Sequence, residues 1–151
     1  MTSPLPSPAL ADVDHGHRVE LSLGADAQML FLARMTAAAV ATRAELDYEQ
    51  VEDLRLAIDE LCIALLGTGA HAGQIALLFQ WDTDGVLDVV GTLIPDGDPS
   101  TNGDGSHEAS SPLSFELSQR ILDALVDDHG TDSVGGVHRA WLRVRRRESS
   151  R

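Results

Sequence analysis

A chain of 151 residues with 24 acidic and 11 basic side chains carries a formal charge of −13, and all eleven cations are arginine. So acidic a surface repels polyanions, which excludes nucleic-acid binding by the body of the protein. The absence of lysine excludes P-loop, Schiff-base and protein-kinase-fold chemistry. With 43% apolar residues the chain can bury one core, and its single cysteine, Cys62, permits no internal disulfide, so a reducing, cytoplasmic setting is expected.

The charge is uneven. Residues 1–138 hold five arginines against 23 acids, a net of −18, whereas residues 139–151 hold six arginines and one glutamate, a net of +5. Arg143, Arg145 and Arg147 fit the solvent face of an edge strand, with a docking tail as the sharper alternative. The N-terminus MTSPLPSPAL has neither a basic flank nor a long apolar run, so it does not read as a secretory signal. The uncharged run Leu61–Trp81 is broken by Gly67, Gly69, His71, Gly73 and Gln74, so it is a helix end, a turn and a buried strand, and no membrane span is expected.

In chain order, residues 1–16 are rich in Pro, Ser and Asp and read as a disordered arm, with the domain running over residues 17–146 and a tail over 147–151. Residues 18–23 alternate polar and apolar and predict a half-buried strand. Residues 26–44 are dense in helix formers, with Met29, Leu32, Met35 or Thr36, Ala39 and Val40 as the core stripe. Asp47 stands three residues before Gln50 in the form of a capping box and opens a second helix, with Val51, Leu54, Ile58, Leu61 and Leu65 facing the core and Gly67 ending it.

Strands are predicted at 74–82 and 86–94, joined by Thr83-Asp84-Gly85 as a hairpin. Residues 96–112 contain Ala109 as their one apolar residue apart from proline and glycine and form a flexible loop. Ser111-Pro112 then caps a helix to about Asp128 on the stripe Leu113, Leu117, Ile121 or Leu122, and Leu125, closed by Gly130. A last strand covers 137–145 with Ala140, Leu142 and Val144 inward. The order β-α-α-β-β-loop-α-β predicts an α+β fold, a two-layer sandwich of one mostly antiparallel sheet with helices on one face.

Among candidate site residues, Glu60 sits inside the second helix beside the core stripe, as a boundary acid open to pairing with Arg34 or Arg43, or as a working carboxylate. Its surroundings carry a resemblance. The stretch Val51-Glu-Asp-Leu-Arg-Leu-Ala-Ile-Asp-Glu-Leu-Cys62, between a helix and a strand hairpin, resembles the N-box helix of the GHKL (histidine-kinase-like) ATP-binding proteins. Within them it is similar to the serine-kinase anti-sigma factors of the RsbW and SpoIIAB group. Its Asp-Leu-Arg-Leu-Ala-x-Asp-Glu-x-Cys form resembles that of the mycobacterial anti-sigma-F factors. The resemblance spans about residues 18–146 in element order and implies the GHKL sandwich.

In that family the N-box glutamate activates the attacking hydroxyl, and an asparagine one turn later holds the magnesium that bridges the phosphates. Glu60 matches the glutamate, but the asparagine position is Ala64, which offers no oxygen to a hard cation. Asp96 is the nearest placeholder for the adenine-reading aspartate. Counting back from Asp127-Asp128, the phosphate-cradling glycines fall on Glu116 and Ser118, and a carboxylate facing a triphosphate is repulsive. The expectation is therefore weak or no binding of ATP and magnesium, no metal site, and Glu60 as a vestigial base.

What the resemblance leaves is protein binding: a homodimeric anti-sigma factor that sequesters a sigma-F or sigma-B type sigma factor and is released by STAS-domain anti-anti-sigma factors. The alternatives are an ATP-dependent serine kinase that phosphorylates such an antagonist, or a pseudo-ATPase adaptor. Phe31-Leu32-Ala33-Arg34 resembles the family's Phe-Ala-Arg segment, which makes Arg34 the candidate partner-binding residue. His15-Gly16-His17 lacks further ligands for a metal, and Cys62 reads as a buried, inert thiol. Trp81 and Trp141 are expected to pack on the sheet, with Trp141 as a candidate interface anchor.

Overall fold

A computed structural model describes residues 16–67, 72–95 and 112–148. Its elements are strand β1 (His17–Gly24), helix α1 (Leu30–Arg43) entered through a 3-10 turn (Ala27–Met29), helix α2 (Tyr48–Leu66), strands β2 (Ala72–Trp81) and β3 (Val86–Pro95), helix α3 (Pro112–Leu125), and strands β4 (Asp128–Val134) and β5 (Val137–Arg145). The five strands form one sheet in the order β1-β2-β3-β5-β4, every neighbouring pair antiparallel. Helices cover one face, which makes the α+β two-layer sandwich that the element order predicts.

Local signals explain most boundaries. Asp26 accepts from the Gln28 amide and starts the 3-10 turn, so the regular α1 begins four residues later than the run of helix formers does. Asp47 accepts from the Gln50 amide at 2.8 Å while the Gln50 carboxamide accepts from the Asp47 amide, a complete capping box. Buried Gln50 also donates to the Arg145 carbonyl at 2.7 Å, which ties the start of α2 to the end of β5.

Two expectations are corrected. Helix α3 ends at Leu125, and residues 128–134 form a strand instead of the helix's last turn. The signal for it is Val134-Gly135-Gly136-Val137: both glycines have positive φ (59° and 81°), the conformation that a two-residue hairpin turn requires. Because β4 takes the edge, β5 lies inside the sheet, so its arginines do not line an edge strand. Arg143 is bound by Asp88, Arg139 by Asp132, Arg146 by Glu45 and Arg147 by Glu49. The basic C-terminus thus lies against acids of the same chain.

The core is built from Leu54, Ile58, Leu61 and Leu65 of α2, Ile75, Leu77 and Phe79 of β2, Leu87, Val89 and Leu93 of β3, and Ala140, Leu142 and Val144 of β5. Gly91 makes this packing close: a Cβ there would lie 2.6 Å from Leu61 Cδ2 and 2.9 Å from Leu65 Cδ1, so α2 rests directly on the backbone of β3.

The other two helices depart in part from the expected stripes: Val40 and Leu122 are buried, and Met29, Leu32 and Leu125 pack against the core, as expected, but the remainder differs. Helix α1 buries Leu30, Ala33, Ala37, Val40 and Ala41, and leaves Phe31 and Met35 exposed. Helix α3 buries Leu122 and leaves Leu113 and Leu117 exposed. An alanine face lets α1 approach the sheet and α2 closely, so the small side chains go inward and the large ones are displaced to the surface. Among the described residues no helix is long and apolar enough to cross a membrane.

Candidate functional site

The candidate site lies on the solvent side of the helical layer and is centred on Asp59-Glu60. Successive residues on an α-helix point about 100° apart, so two adjacent acids whose backbone faces outward reach to opposite flanks. That is their arrangement on α2. Asp59 turns to α1, where Arg34 Nε stands 3.5 Å from Asp59 Oδ1. Glu60 turns to α3, where the Ser118 hydroxyl donates to Glu60 Oε2 at 2.8 Å. The acidic pair therefore links all three helices, and it joins three residues singled out in the sequence, Arg34, Glu60 and Ser118. The expected partnering of Glu60 with Arg34 or Arg43 is corrected: Asp59 takes Arg34.

Partial burial raises the Asp59 carboxyl above the usual range. Arg34 opposes the shift, the adjacent Glu60 carboxylate adds to it, and Arg55 opposes it again. Cys62, three residues after Asp59, is fully buried, and burial, with Asp59 as a second cause, pushes its thiol up to about 12. Such a thiol is neutral at physiological pH and is no nucleophile.

The remaining nucleotide-related positions have definite places. Ala64, one turn beyond Glu60 on α2, presents a half-buried methyl group. Glu116 and Ser118 lie in the second turn of α3, which starts at Pro112. The unbonded amides of a helix are those of its first turn, so the amides at 116 and 118 belong to the helical ladder. Glu116 is exposed. Asp96, His15 and most of the 96–112 loop lie outside the described residues. His17 stacks on Trp81, with ring centroids 5.1 Å apart. Trp81 is buried beneath the helices, whereas half-buried Trp141 lies on the open face of the sheet over Gly130.

Around the Asp59-Glu60 pair stand residues that the sequence reading did not assign to a site. Met35 is 63% exposed, Leu56 56% and Leu117 59%, and Phe31, Ile63 and Leu113 are exposed as well. Leu56 and Ile63 fall four residues before and three after Glu60, on its face of α2, and Leu117 directly precedes Ser118. A signal was present in the sequence: α2 carries Leu56 and Ile63 in addition to a complete core stripe, more large apolar residues than one buried face needs.

No family model matches the chain. Over 162 aligned positions, covering 97% of this chain and 89% of the relative, it is 33% identical to the anti-sigma-F factor RsbW of Mycobacterium tuberculosis strain CDC 1551 / Oshkosh. The same figures hold for the anti-sigma-F factor RsbW of Mycobacterium tuberculosis strain H37Rv. With one residue in three shared along nearly the whole of both proteins, on the sandwich expected of its N-box helix, the chain belongs to the family of RsbW-type anti-sigma factors.

Proposed function

We propose that this protein acts as an anti-sigma factor of the UsfX type. It holds a sigma-F or sigma-B type sigma factor away from RNA polymerase core as a homodimer, STAS-domain anti-anti-sigma factors release it, and this is largely independent of ATP. The observation that carries the proposal is the placement of Arg34. It is held by Asp59 at 3.5 Å yet remains 41% exposed, among uncovered apolar side chains of the helical layer. A half-exposed, oriented guanidinium beside apolar surface is the composition of a protein-binding hot spot.

The residues present do not fit a bound magnesium nucleotide. Ala64, at the position that matches the family's magnesium ligand, offers no oxygen, Glu116 carries a negative charge at a position that matches a phosphate-cradling glycine, and the Glu60 carboxylate is engaged by Ser118. Phosphoryl transfer rests on positioning and charge stabilisation, which these residues do not supply. The rival reading, a serine kinase that phosphorylates its antagonist, retains Glu60 alone in its support.

Pull-down of the sigma factor from the same genome, with apyrase and again with Mg-ATP, tests the proposal. Equal capture in both and loss of capture by Arg34→Glu are expected. Capture that requires ATP, or a low-micromolar Kd for Mg-ATP by calorimetry, refutes nucleotide independence. Undiminished binding by Arg34→Glu removes that residue from the interface. The acidic body also predicts an association rate that falls as salt rises, because a cationic partner is steered onto it; a salt-independent rate contradicts this.

A further inference from the structure

We infer that Leu56, Ile63 and Leu117, which flank the Glu60–Ser118 hydrogen bond, form a docking ridge across α2 and α3 for a cationic amphipathic helix. The inference rests on the reading that the chain binds a sigma factor, and it assigns to that partner a surface beyond α1 and Arg34.

The ridge stands out in three ways. Its side chains are large, apolar and about half exposed or more, and Leu117 occupies a position that helical periodicity assigns to the core. In a chain of charge −13, apolar side chains left uncovered on adjacent helices call for a partner. Next, the ridge is braced: the Ser118 hydroxyl on Glu60 ties α3 to α2, and Arg34 on Asp59 ties α1 to α2. Glu60 is here a positioning residue for a surface. A surface ordered before its partner arrives loses less entropy on binding than one that must be ordered.

The third feature decides the kind of occupant. Helix α2 carries Glu49, Glu52, Asp53, Asp59 and Glu60 against Arg55 alone, a net of −4. Arg55 is already bound to Glu52, and Glu49 to Arg147. Asp59 is met by Arg34, so the acids that stand beside Leu56 and Ile63 on their face of α2 are Asp53 and Glu60, and apolar anchors at helical spacing beside these carboxylates match a helix that places leucine-like residues on one side and arginine or lysine at its edges. A second copy of this chain would bring a second α2 of the same sign against the first, and like charges across an interface oppose association.

The test is titration calorimetry of the full-length protein with the purified sigma factor encoded in the same genome, comparing wild type, the triple variant Leu56→Gln/Ile63→Gln/Leu117→Gln, and Ile94→Gln. Ile94 is 42% exposed at the end of β3, close to the 48% of Ile63, and serves as an exposed apolar control away from the ridge. All four substitutions lie on the surface, and circular dichroism melts establish that each variant is folded. The triple variant is expected to bind at least tenfold more weakly and the control within twofold of wild type. Wild-type binding matched by the triple variant overturns the ridge and leaves the anti-sigma reading intact. Absence of binding by wild type overturns both. A triple variant that instead changes the oligomeric state of the free protein in sedimentation analysis assigns the ridge to a second copy and overturns the inference.

Discussion

The two broad faces of this sandwich use the same residue types to opposite ends. On the open face of the sheet, the carboxylate of Asp88, 1% exposed, receives Arg143 Nε at 2.7 Å and Nη2 at 3.2 Å, and Asp132 receives Arg139 in the same two-pronged way at 2.8 and 3.2 Å. Asp88 raises the pKa of the Arg143 guanidinium still further, chiefly through that hydrogen bond. Strand register sets these pairs, because Asp88 stands directly across from Arg143 and Asp132 from Arg139. On the helical face, Asp59 meets Arg34 through one longer contact, Glu60 is met by a neutral hydroxyl, and α2 keeps its net negative charge. Charge that is matched side by side becomes structure, and charge left unmatched on a braced helix remains available to a partner.

This contrast breaks most readily at its strongest pair. Asp88→Ala leaves Arg143 half-buried without its carboxylate and is expected to cost about 3 kcal/mol in urea unfolding, whereas Asp59→Ala should cost less than about 1 kcal/mol. Similar losses for the two would show that the faces do not differ in kind. Next in size is Gly130→Val. A Cβ at Gly130 would lie 2.8 Å from the Trp141 ring, so the branched side chain must push the indole off the sheet, at about 2 kcal/mol, with a shift in tryptophan emission. A variant as stable as wild type would show that Trp141 is not held in that place.

On the helical face the effects are smaller. Ser118→Ala removes the donor to Glu60 and should lower stability by about 1 kcal/mol, while Glu60→Gln, which keeps an acceptor, should lower it less. Equal losses in both variants would remove the hydrogen bond as the tie between α2 and α3. The smallest effect is a slope. Burial raises the folded pKa of Asp59 above its unfolded value, so between the two the folded state holds more protons and stability falls as pH rises through that window, just above the ordinary carboxylate range. Asp59→Asn should flatten this part of the stability profile, and an unchanged slope would show that another group causes it.

Periodicity located each helix and four of the five strands, because capping signals and alternation are local. It failed at β4, where Asp128-His-Gly-Thr-Asp-Ser-Val134 has little apolar content and reads as a helix end, although the Gly135-Gly136 turn beside it is itself a hairpin signal. It also misplaced parts of the stripes of α1 and α3: Val40 and Leu122 are buried and Met29, Leu32 and Leu125 pack against the core as expected, but Met35, Leu113 and Leu117 are exposed while Ala33, Ala37 and Ala41 go inward. At the candidate site, Glu60 and Ala64 were visible through the N-box resemblance, and Arg34 through the likeness of Phe31-Leu32-Ala33-Arg34 to the family's Phe-Ala-Arg segment. Asp59, Leu56, Ile63 and Leu117 were not, because their significance lies in what surrounds them.

The amino-acid sequence by itself settled the class of fold, the acidic character and the likeness to the anti-sigma family, all of which follow from composition, local periodicity and one twelve-residue stretch. Only the tertiary structure decided which apolar residues are buried and which are offered to a partner, and what each charge faces. Those outcomes depend on contacts between residues as far apart in the chain as Asp88 and Arg143 or Glu60 and Ser118. The basic C-terminus, set against the body in sequence, is largely neutralised within the molecule by Asp88, Asp132, Glu45 and Glu49. Helix α2 keeps a net of −4 in its own residues, of which Glu49 is met by Arg147 and Asp59 by Arg34.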